Sequence, residues 1–292
     1  MSALQAVVYV NGTISLAADA VVPVFDHGFL YGEGVYETLR TYRRAPFLFG
    51  PHMDRLRRSA GLMALDVPFS DTQMHGWIDD TMTAHDRLLG PLPEAYIRIL
   101  LTRGVGALTY NPAACPAPTL VIIVKAFPAP PERTFTEGIT VALVDVRRNH
   151  PSALNPTIKS NNLLNNALAM QEALRQHADE ALMQNHDGHI VECSQSNFFI
   201  VKDGRLRTAP IADGLLPGIT RQFVMDLGTD IGVHTEERSF TPQDVFEADE
   251  AFITGTTREV TPVVRVGERT IGAGKPGAVT LRLLDEFRLR VG

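Results

Sequence analysis

Hydrophobic and polar residues alternate on both sides of two turn sequences, and this pattern predicts two β-hairpins. The first hairpin consists of AVVYV, the turn residues Asn11-Gly12 and then TISL. Asn-Gly favours this structure because a type I′ turn needs positive φ at both of its central positions. The second hairpin is NFFIVKDGRLRT, which has Asp203-Gly204 at its turn.

A third alternating segment, AYIRILLT, predicts a strand with two different faces. Tyr96, Arg98 and Leu100 share one face, and the intervening apolar residues share the other. A strand face that presents Tyr and Arg indicates a polar role for that face.

Apolar residues at spacings of three and four predict helices elsewhere in the chain. In residues 51–63 the apolar stripe is Met53, Leu56, Ala60 and Met63, and Arg55 lies beside it. The other predicted helices span residues 161–177, 219–231 and 278–291.

Three prolines within AFPAPPERTF mark a boundary between two domains. Pro128, Pro130 and Pro131 cannot join the interior of a sheet or continue a helix. A chain of 292 residues has about the length of two domains. We therefore predict a smaller α/β domain at residues 1–126, a linker at 127–136 and a larger α/β domain at 137–292.

The composition narrows the class of protein. Lysine and arginine number 27 and aspartate and glutamate 33, and the net charge of −6 is dispersed, which argues against nucleic-acid binding. The longest aliphatic run, Leu120–Val124, is too short to cross a bilayer, and no export signal is recognised, so we expect a cytoplasmic protein. Two cysteines, and histidines without metal-binding spacing, predict reduced thiols and no metal site.

Lys159 is the lysine with the most informative surroundings. It lies in NPTIKSNNLLNNALAMQEA, just before a predicted helix with Ser and Asn as cap candidates. The positive end of a helix dipole and partial burial both disfavour an ammonium group, so they favour the neutral amine that a Schiff-base nucleophile must be. Taken alone, however, the local pattern favours a solvated lysine at a helix start.

Glu192 is a carboxylate in a mostly apolar segment, HIVECSQSNFFIV. Such a residue needs a partner, because an unpaired buried charge is costly. A protonated heterocyclic nitrogen would be a suitable partner, and an edge carboxylate or a helix cap is the alternative.

Two turns have features of a phosphate site. In LLPGITR, Pro217 and Gly218 precede a helix that Ile219 and Thr220 open, and free N–H groups at a helix start attract phosphate. GTTREVTPV, which begins at Gly255, supplies two adjacent hydroxyl groups. Motifs of other cofactor classes are missing, since GEGVYE lacks the third glycine of a dinucleotide fingerprint and the chain has no P-loop.

Six segments, taken together, resemble the class IV (fold type IV) pyridoxal-phosphate aminotransferases. In chain order they are DHGFLYGEGVYETLR, HMDRLRRSA, IKSNNLLNNALAMQEA, VECSQSNFFIVKDG, LLPGITR and ITGTTREVTPV. The resemblance extends from about Phe25 to Val264, which is nearly the whole chain. Weak sites that jointly suit one cofactor support one another.

The resemblance implies a role for several residues. Lys159 matches the lysine that forms a Schiff base with pyridoxal 5′-phosphate (PLP) and later moves the substrate proton. Glu192 matches the acid that pairs with the pyridine nitrogen of the cofactor. The expected phosphate site consists of Arg55, the backbone amides of Ile219 and Thr220, and the hydroxyl of Thr256.

The family fold is a two-domain α/β (α+β) architecture with PLP between the domains, and the family's active unit is a homodimer. A loop that matches FLYGEGVY reaches the substrate pocket of the neighbouring subunit, so the resemblance implies that Tyr31 serves the partner. The other expected substrate-binding residues are Tyr36, Tyr96, Arg98, Thr257 and Arg258.

Within the family, the chain resembles the branched-chain amino acid aminotransferases most. Their Tyr-x-Arg strand, matched by Tyr96 and Arg98, helps to hold substrate carboxylates. D-amino acid aminotransferases instead have an Arg and a His shortly after the TRG turn, where this chain reads GVGALTYN. Two departures stand out: Leu163 replaces a tyrosine that bonds the phenolic oxygen of the cofactor, and Thr257 and Arg258 replace small residues.

We therefore expect a PLP-dependent transaminase that transfers an amino group from an L-branched-chain amino acid to 2-oxoglutarate by a ping-pong mechanism. A D-amino acid or (R)-amine transaminase of the same fold is one alternative. An aminodeoxychorismate-type lyase, which needs no keto-acid acceptor, is another. A non-catalytic ligand-binding protein is disfavoured by the intact Lys159 and Glu192.

Overall fold

The computed structural model describes residues 5–292, which divide into two compact units. The first unit contains the described chain up to Pro128 together with Ile158–Asn162, and the second contains Ala129–Thr157 and Leu163–Gly292. The short segment with Lys159 therefore belongs to the first unit, although it follows Pro128 by about thirty residues. The segment expected to be a linker includes a one-turn helix, Arg133–Thr136, in which Phe135 is buried.

The first unit is an antiparallel six-stranded sheet with two long helices. Its sheet order is β2-β1-β6-β5-β3-β4, and a short 3-10 helix occupies Pro112–Ala114. Its elements are β1 (Ala6–Val10), β2 (Thr13–Leu16), α1 (His27–Tyr31), β3 (Gly34–Tyr42), β4 (Ala45–Pro46), α2 (Phe49–Gly61), α3 (Asp71–Leu89), β5 (Ala95–Thr102) and β6 (Thr119–Ala126).

The first predicted hairpin is confirmed, and β1 and β2 pair on either side of Asn11 and Gly12. These two turn residues have φ values of 44° and 97°, as a type I′ turn requires. The amphipathic helix predicted at 51–63 is also confirmed, with bounds of Phe49–Gly61. Helix α3 begins at a capping box, in which Ser70 and Gln73 exchange hydrogen bonds.

The two faces of the central strands have different environments. Val35, Leu39, Ile97 and Ile99 are fully buried in the core beneath α2 and α3. The opposite face keeps the Tyr and Arg side chains of β5 half-buried, as the alternation predicted. One face of the sheet therefore supplies the core, and the other presents the Tyr and Arg side chains of β5.

The segment 158–162 adds to β3 beside its first residues. The backbone N–H of Tyr36 donates to the carbonyl of Lys159 at 2.9 Å, and the N–H of Asn161 donates to the carbonyl of Gly34 at 2.8 Å. Val35 and Ser160 form an antiparallel bridge between these two bonds. This pairing brings the lysine back to the first unit.

The second unit is built on a nine-stranded sheet. The sheet order is β12-β11-β10-β13-β14-β7-β8-β9, and β15 pairs with β14. The elements are α4 (Arg133–Thr136), β7 (Ile139–Leu143), α5 (Leu164–Arg175), β8 (Glu180–Gln184), β9 (Ile190–Cys193), β10 (Asn197–Lys202), β11 (Arg205–Thr208), α6 (Ile219–Asp230), β12 (Thr235–Glu237), α7 (Pro242–Phe246), β13 (Glu250–Gly255), β14 (Glu259–Val266), β15 (Arg269–Thr270) and α8 (Ala278–Val291).

This sheet closes on itself, because β9 pairs with β10 through Glu192 and Asn197 as well as with β8. Strand β7 runs parallel to both β8 and β14, so the sheet is mixed. The second predicted hairpin is confirmed as β10 and β11, with positive φ at Asp203 and Gly204. The core contains buried apolar residues from several of these strands, among them Val141, Leu182, Phe198 and Ile253.

The helix expected to begin directly after Lys159 starts later. Helix α5 begins at Leu164, its N-cap is Leu163, and no side chain caps it. The expectation that Ser and Asn residues cap this helix is therefore wrong. Ser160 and Asn161 instead pair with the first residues of β3. The first turn of α5 does not include the lysine, so the expected effect of the helix dipole on its amine loses its basis.

Two expectations from composition can be compared with the structure. Cys115 and Cys193 are both free thiols, as predicted. Within residues 5–292, no helix combines the length and the apolar character that a membrane span requires.

Replacement of Gly34 by alanine tests the pairing of residues 158–162 with β3. A Cβ atom at this position would lie 2.5 Å from Nδ2 of Asn161 and 2.9 Å from the carbonyl oxygen of Leu101. We expect Gly34→Ala to reduce the free energy of unfolding by about 1–3 kcal/mol, since backbone must move to admit the methyl group. Chemical denaturation followed by circular dichroism measures this change.

Gly76→Ala is the matched control, because Gly76 lies within α3 and a Cβ there meets no atom within 4 Å. This variant should be more stable than the parent by about 0.5–1 kcal/mol, as alanine favours a helix interior. Equal stability of the two variants would contradict the tight packing at Gly34.

Candidate active site

Lys159 and Arg98 both lie close to the ring of Tyr36. The Nζ atom of Lys159 is 4.4 Å from the ring centroid, and Cζ of Arg98 is 4.0 Å from the same centroid. Both distances are within the range of cation–π interactions. An amine and a guanidinium are thus gathered around one aromatic ring.

The sheet explains this arrangement. Tyr36 points to the half-exposed face of β3, and Arg98 lies on the same face of the neighbouring strand β5. Tyr96 lies on this face too, 5.0 Å from Nζ of Lys125 measured from its ring centroid. In the part of the chain that the structure describes, no acidic side chain pairs with Arg98, so its guanidinium can donate hydrogen bonds to an external carboxylate.

Arg55 is part of a buried network with Glu37 and His52. Nε and Nη2 of Arg55 donate to the two oxygens of Glu37 at 2.7 and 2.8 Å, and Nδ1 of His52 lies 2.7 Å from Oε2. All three residues are at least nine-tenths buried. This fork-to-fork contact fixes the plane of the guanidinium.

The charges of this network are well defined. Burial acts to raise the pKa of Glu37, but the charge of Arg55 and hydrogen bonds from Arg55 and His52 outweigh it and hold this pKa well below its usual range. Burial lowers the pKa of His52, and the charges of Arg55 and Lys159 add to this effect although Glu37 opposes it. The network is therefore a carboxylate, a guanidinium and a neutral imidazole.

Tyr31 is the last residue of α1 and lies among aromatic rings. Its ring centroid is 4.9 Å from that of His27 and 5.0 Å from that of Tyr110. The imidazole of His27 is itself held, with Nδ1 3.0 Å from Glu33 and Nε2 2.9 Å from the carbonyl oxygen of Ala107. These contacts connect α1 to the loop after β5.

In the second unit, Glu192 is a buried and fully bonded carboxylate. Its Oε1 accepts from Nε of Arg148 at 2.7 Å, and its Oε2 accepts from the backbone N–H of Leu216 at 3.1 Å and from Nδ2 of Asn197 at 3.3 Å. These donors orient the carboxylate, and an oriented carboxylate is the partner that a protonated ring nitrogen needs.

The start of α6 is tied to the same carboxylate. Nδ2 of Asn197 also donates to the carbonyl of Leu216 at 3.0 Å, directly before the turn that leads to Gly218. Gly218 is the N-cap of α6 and no side chain caps the helix, so the first N–H groups, those of Ile219 and Thr220, have no capping side chain. An uncapped helix start is a site for an anion.

The turn after β13 contributes hydroxyl groups and one arginine. Thr256, Thr257 and Arg258 form the turn, which is closed by a hydrogen bond from the N–H of Arg258 to the carbonyl of Gly255 at 2.9 Å. All three side chains are partly exposed. Strand β13 pairs with β10, and in this pairing Thr254, near the end of β13, lies opposite Asn197.

Glu180 is a second buried carboxylate near this turn. Burial raises its pKa, and hydrogen bonds from Ser194 and the N–H of Ala181, together with the charge of Arg258, only partly oppose the shift. Among the described residues its Oε2 has no hydrogen-bond partner. Arg258 and Glu180 thus interact electrostatically. Nothing in the sequence indicated this interaction.

Several of these residues were missed from the sequence. They are Glu37, which holds Arg55; His52, which bonds to Glu37; Arg148 and Asn197, which hold Glu192; and Ser59, whose hydroxyl accepts the backbone N–H of Lys159 at 3.1 Å. Only Glu37 had a visible signal, because it occupies a position in GVYETLR where strand alternation predicts a core residue. A charged residue at such a position needs a buried partner.

Comparisons with known proteins identify the family. The family model described as amino-transferase class IV matches residues 34–266. A Methanocaldococcus jannaschii protein with the provisional name branched-chain-amino-acid aminotransferase is 39% identical over 281 residues, covering 96% of this chain and 95% of its own. D-alanine aminotransferase of Listeria monocytogenes is 35% identical over 283 residues, covering 96% and 94%.

Solved structures agree with this result. The branched-chain amino acid aminotransferase of Escherichia coli matches with a TM-score of 0.89 and 30% identity, covering 95% of this chain and 91% of that one. A T.th. branched-chain amino acid aminotransferase in complex with N-(5′-phosphopyridoxyl)-L-glutamate matches with a TM-score of 0.88 and 30% identity, covering 98% and 93%. The chain therefore belongs to the class IV aminotransferases and has their fold type IV architecture. It is a PLP-dependent aminotransferase.

The residues present fit PLP chemically. The first unit offers a primary amine at Lys159 and a guanidinium at Arg55, and the second offers an oriented carboxylate at Glu192. The uncapped start of α6 supplies N–H groups for a phosphate. These are the groups that an aldehyde, a phosphate and a pyridine nitrogen need.

Replacement of Glu37 by glutamine tests the buried network around Arg55. We expect Glu37→Gln to reduce the free energy of unfolding at pH 7 by about 3–5 kcal/mol, because it removes the negative charge that two hydrogen bonds join to the buried guanidinium of Arg55. The pKa of Glu37 is lowered on folding, so its stabilising effect is present at neutral pH and is lost as the pH falls through the folded pKa. Urea denaturation measures the change.

Glu236→Gln is the matched control, since Glu236 also contacts two arginines, Arg205 and Arg207, but does so at the surface. Water screens such pairs, so this variant should unfold close to the parent. If both variants unfold at the same urea concentration, the buried pair does not contribute as described.

Proposed function

We propose that this aminotransferase transfers the amino group of an L-branched-chain amino acid, such as leucine, isoleucine or valine, to 2-oxoglutarate by a ping-pong cycle. The support comes from the arrangement of Lys159, Tyr36 and Arg98. An α-amino acid has a reacting nitrogen, a carboxylate and a side chain. The amine, the guanidinium and the aromatic ring match these three groups in turn.

The chemistry is shared between PLP and this chain. PLP, when bound, supplies the electron sink that makes the Cα proton of an amino acid acidic. Lys159 would hold the cofactor through its Nζ, and once released that Nζ would be the base that takes up and returns the substrate proton. Glu192 would pair with the protonated pyridine nitrogen, and Arg148 and two N–H donors orient its carboxylate for this role.

We propose that Arg55, the backbone N–H groups of Ile219 and Thr220, and the hydroxyl of Thr256 bind the phosphate group. Glu37 neutralises Arg55, so the site attracts phosphate by oriented donors rather than by a large net charge.

Substrate choice depends on groups around Arg98. The proposal places the α-carboxylate of the substrate near Arg98 and its aliphatic side chain against Tyr36 and Tyr96. The second carboxylate of 2-oxoglutarate requires another cation, and Arg258, beside Thr257 in the turn after β13, is the candidate. The segment GVGALTYN lacks the Arg and His expected for a D-amino acid enzyme, which favours the L-series.

We further propose that the chain forms a homodimer in which Tyr31 serves the partner's site. Support comes from an apolar surface, defined as the exposed hydrophobic side chains of residues 21–29 and 105–110. These side chains are Val21, Val22, Val24, Phe25, Phe29, Val105, Leu108 and Tyr110. Phe29 is 73% exposed and Tyr110 80%, which is unusual for side chains of this size.

Absorption spectroscopy tests the substrate. L-leucine added to the PLP-loaded enzyme without a keto acid should convert the spectrum to that of the pyridoxamine form, and 2-oxoglutarate should restore it. Lys159→Ala should abolish both changes, whereas the exposed Lys202→Ala serves as the unaffected control.

Other outcomes would change the proposal in defined ways. A response to D-alanine or (R)-1-phenylethylamine with none to L-leucine would overturn the substrate. Release of pyruvate without any acceptor would indicate a lyase. Normal turnover of Lys159→Ala would show that another lysine is the reactive one.

Sedimentation velocity tests the dimer. The parent should sediment with twice the chain mass of 32.0 kDa. Phe29→Ser combined with Leu108→Ser should shift it toward the monomer, because burial of these side chains contributes to association. Leu289→Ser is the control, since Leu289 is equally exposed but lies on α8 of the second unit and is not one of the residues that define the apolar surface. A parent that sediments as a monomer would contradict the dimer.

A further inference from the structure

We propose that Ser59 is a positioning residue, which holds the backbone of Lys159 so that the lysine keeps a defined place relative to Arg55. The inference rests on the proposed function, in which Lys159 is the reactive lysine. Ser59 does not touch the amine itself. Its action is on the main chain from which the lysine side chain begins.

The hydrogen bonds of Lys159 show how this works. Its N–H donates to Oγ of Ser59 at 3.1 Å, and its carbonyl accepts from the N–H of Tyr36 at 2.9 Å. The two partners lie on different elements, α2 and β3, so the peptide groups on both sides of the lysine Cα are held. The direction of the Cα–Cβ bond is set by those two peptide planes.

The position of Ser59 on α2 connects the lysine to Arg55. Residues four apart lie on the same face of a helix, about 6 Å along its axis, so Arg55 and Ser59 face the same way. Glu37 fixes the guanidinium of Arg55 through two bonds. One turn of a rigid helix thus carries both the Arg55 side chain and the group that holds the lysine.

The residue type also points to this role. Alanine is preferred over serine inside a helix, so helix propensity does not explain the serine at position 59. Contact with water does not explain it either, because Ser59 is only 1% exposed. The next residue in the helix, Ala60, is buried as well and shows that a methyl group suits this face. The hydroxyl is explained by the N–H of Lys159, which would lack this acceptor if alanine stood at position 59.

The first experiment measures the exchange of the Lys159 amide. Hydrogen exchange at single-residue resolution is recorded on the full chain, with and without PLP, for the parent and for Ser59→Ala. We expect the Lys159 amide to exchange about tenfold faster in Ser59→Ala, the factor that corresponds to the loss of one hydrogen bond. The amide of Ile99, which is buried in the core, should keep the parental rate.

Ser70→Ala is the matched control. Ser70 also accepts a backbone N–H with its hydroxyl, that of Gln73 at 3.2 Å, and it caps α3 in the same unit. This variant weakens the unit without touching residues 158–162. It should therefore not change the exchange rate of Lys159 relative to that of Ile99.

The second experiment separates positioning from simple stability. In the PLP-loaded enzyme, Ser59→Ala should shift the midpoint of the pH titration of the cofactor absorbance by about half a unit or more, because the lysine nitrogen is displaced. Its kcat with L-leucine should fall about tenfold while KM changes less than about twofold, since proton transfer depends on position more than substrate binding does. Ser70→Ala should leave all three quantities at parental values.

The outcomes distinguish this proposal from the proposed function. Unchanged exchange at Lys159 in Ser59→Ala overturns the positioning role, and so does faster exchange without any change of titration midpoint or kcat. Borohydride reduction of the loaded parent followed by peptide mapping identifies the lysine that carries the cofactor. A label on a different lysine overturns the proposed function, whatever the Ser59 variants show.

Discussion

Two hydrogen bonds made by the main chain of Lys159, one to a backbone N–H and one to a side-chain hydroxyl, hold this residue in the first unit, and the position of its amine depends on them. They connect the lysine to β3 through Tyr36 and to α2 through Ser59. The same two elements supply the ring next to the amine and the arginine assigned to phosphate. A lysine side chain is long and flexible, so its amine reaches a defined place only when the main chain begins from a defined point.

Buried carboxylates occur in both units, and their partners decide their state. Glu37 and Glu192 each accept from an arginine and from further donors, and both are fully bonded. Glu180 is equally buried but has no direct arginine bond, and burial raises its pKa. The same type of side chain is therefore bonded to an arginine in two places and has a raised pKa in a third, where no bonded guanidinium offsets the cost of burying the charge.

Local features were predictable and distant contacts were not. Both hairpins and the two-faced strand of Tyr96 and Arg98 were confirmed, because turn conformation and strand alternation depend on adjacent residues. The helix after Lys159 was placed too early, since a bond to α2 and pairing with β3 outweigh the local cap signals. This pairing joins residues 158–162 to β3, which comes much earlier in the sequence. A pattern read from neighbouring residues therefore cannot reveal it.

The sequence by itself determined the family, the PLP chemistry and the residue types that suit it, because these depend on motifs in a fixed order. Only the tertiary structure decided which groups meet. Glu37 and Arg55 are 18 residues apart, Arg148 and Glu192 are 44 apart, and Ser59 and Lys159 are 100 apart. Contacts at such separations arise when buried polar groups find partners as the elements pack, and neighbouring residues in the sequence do not specify that choice.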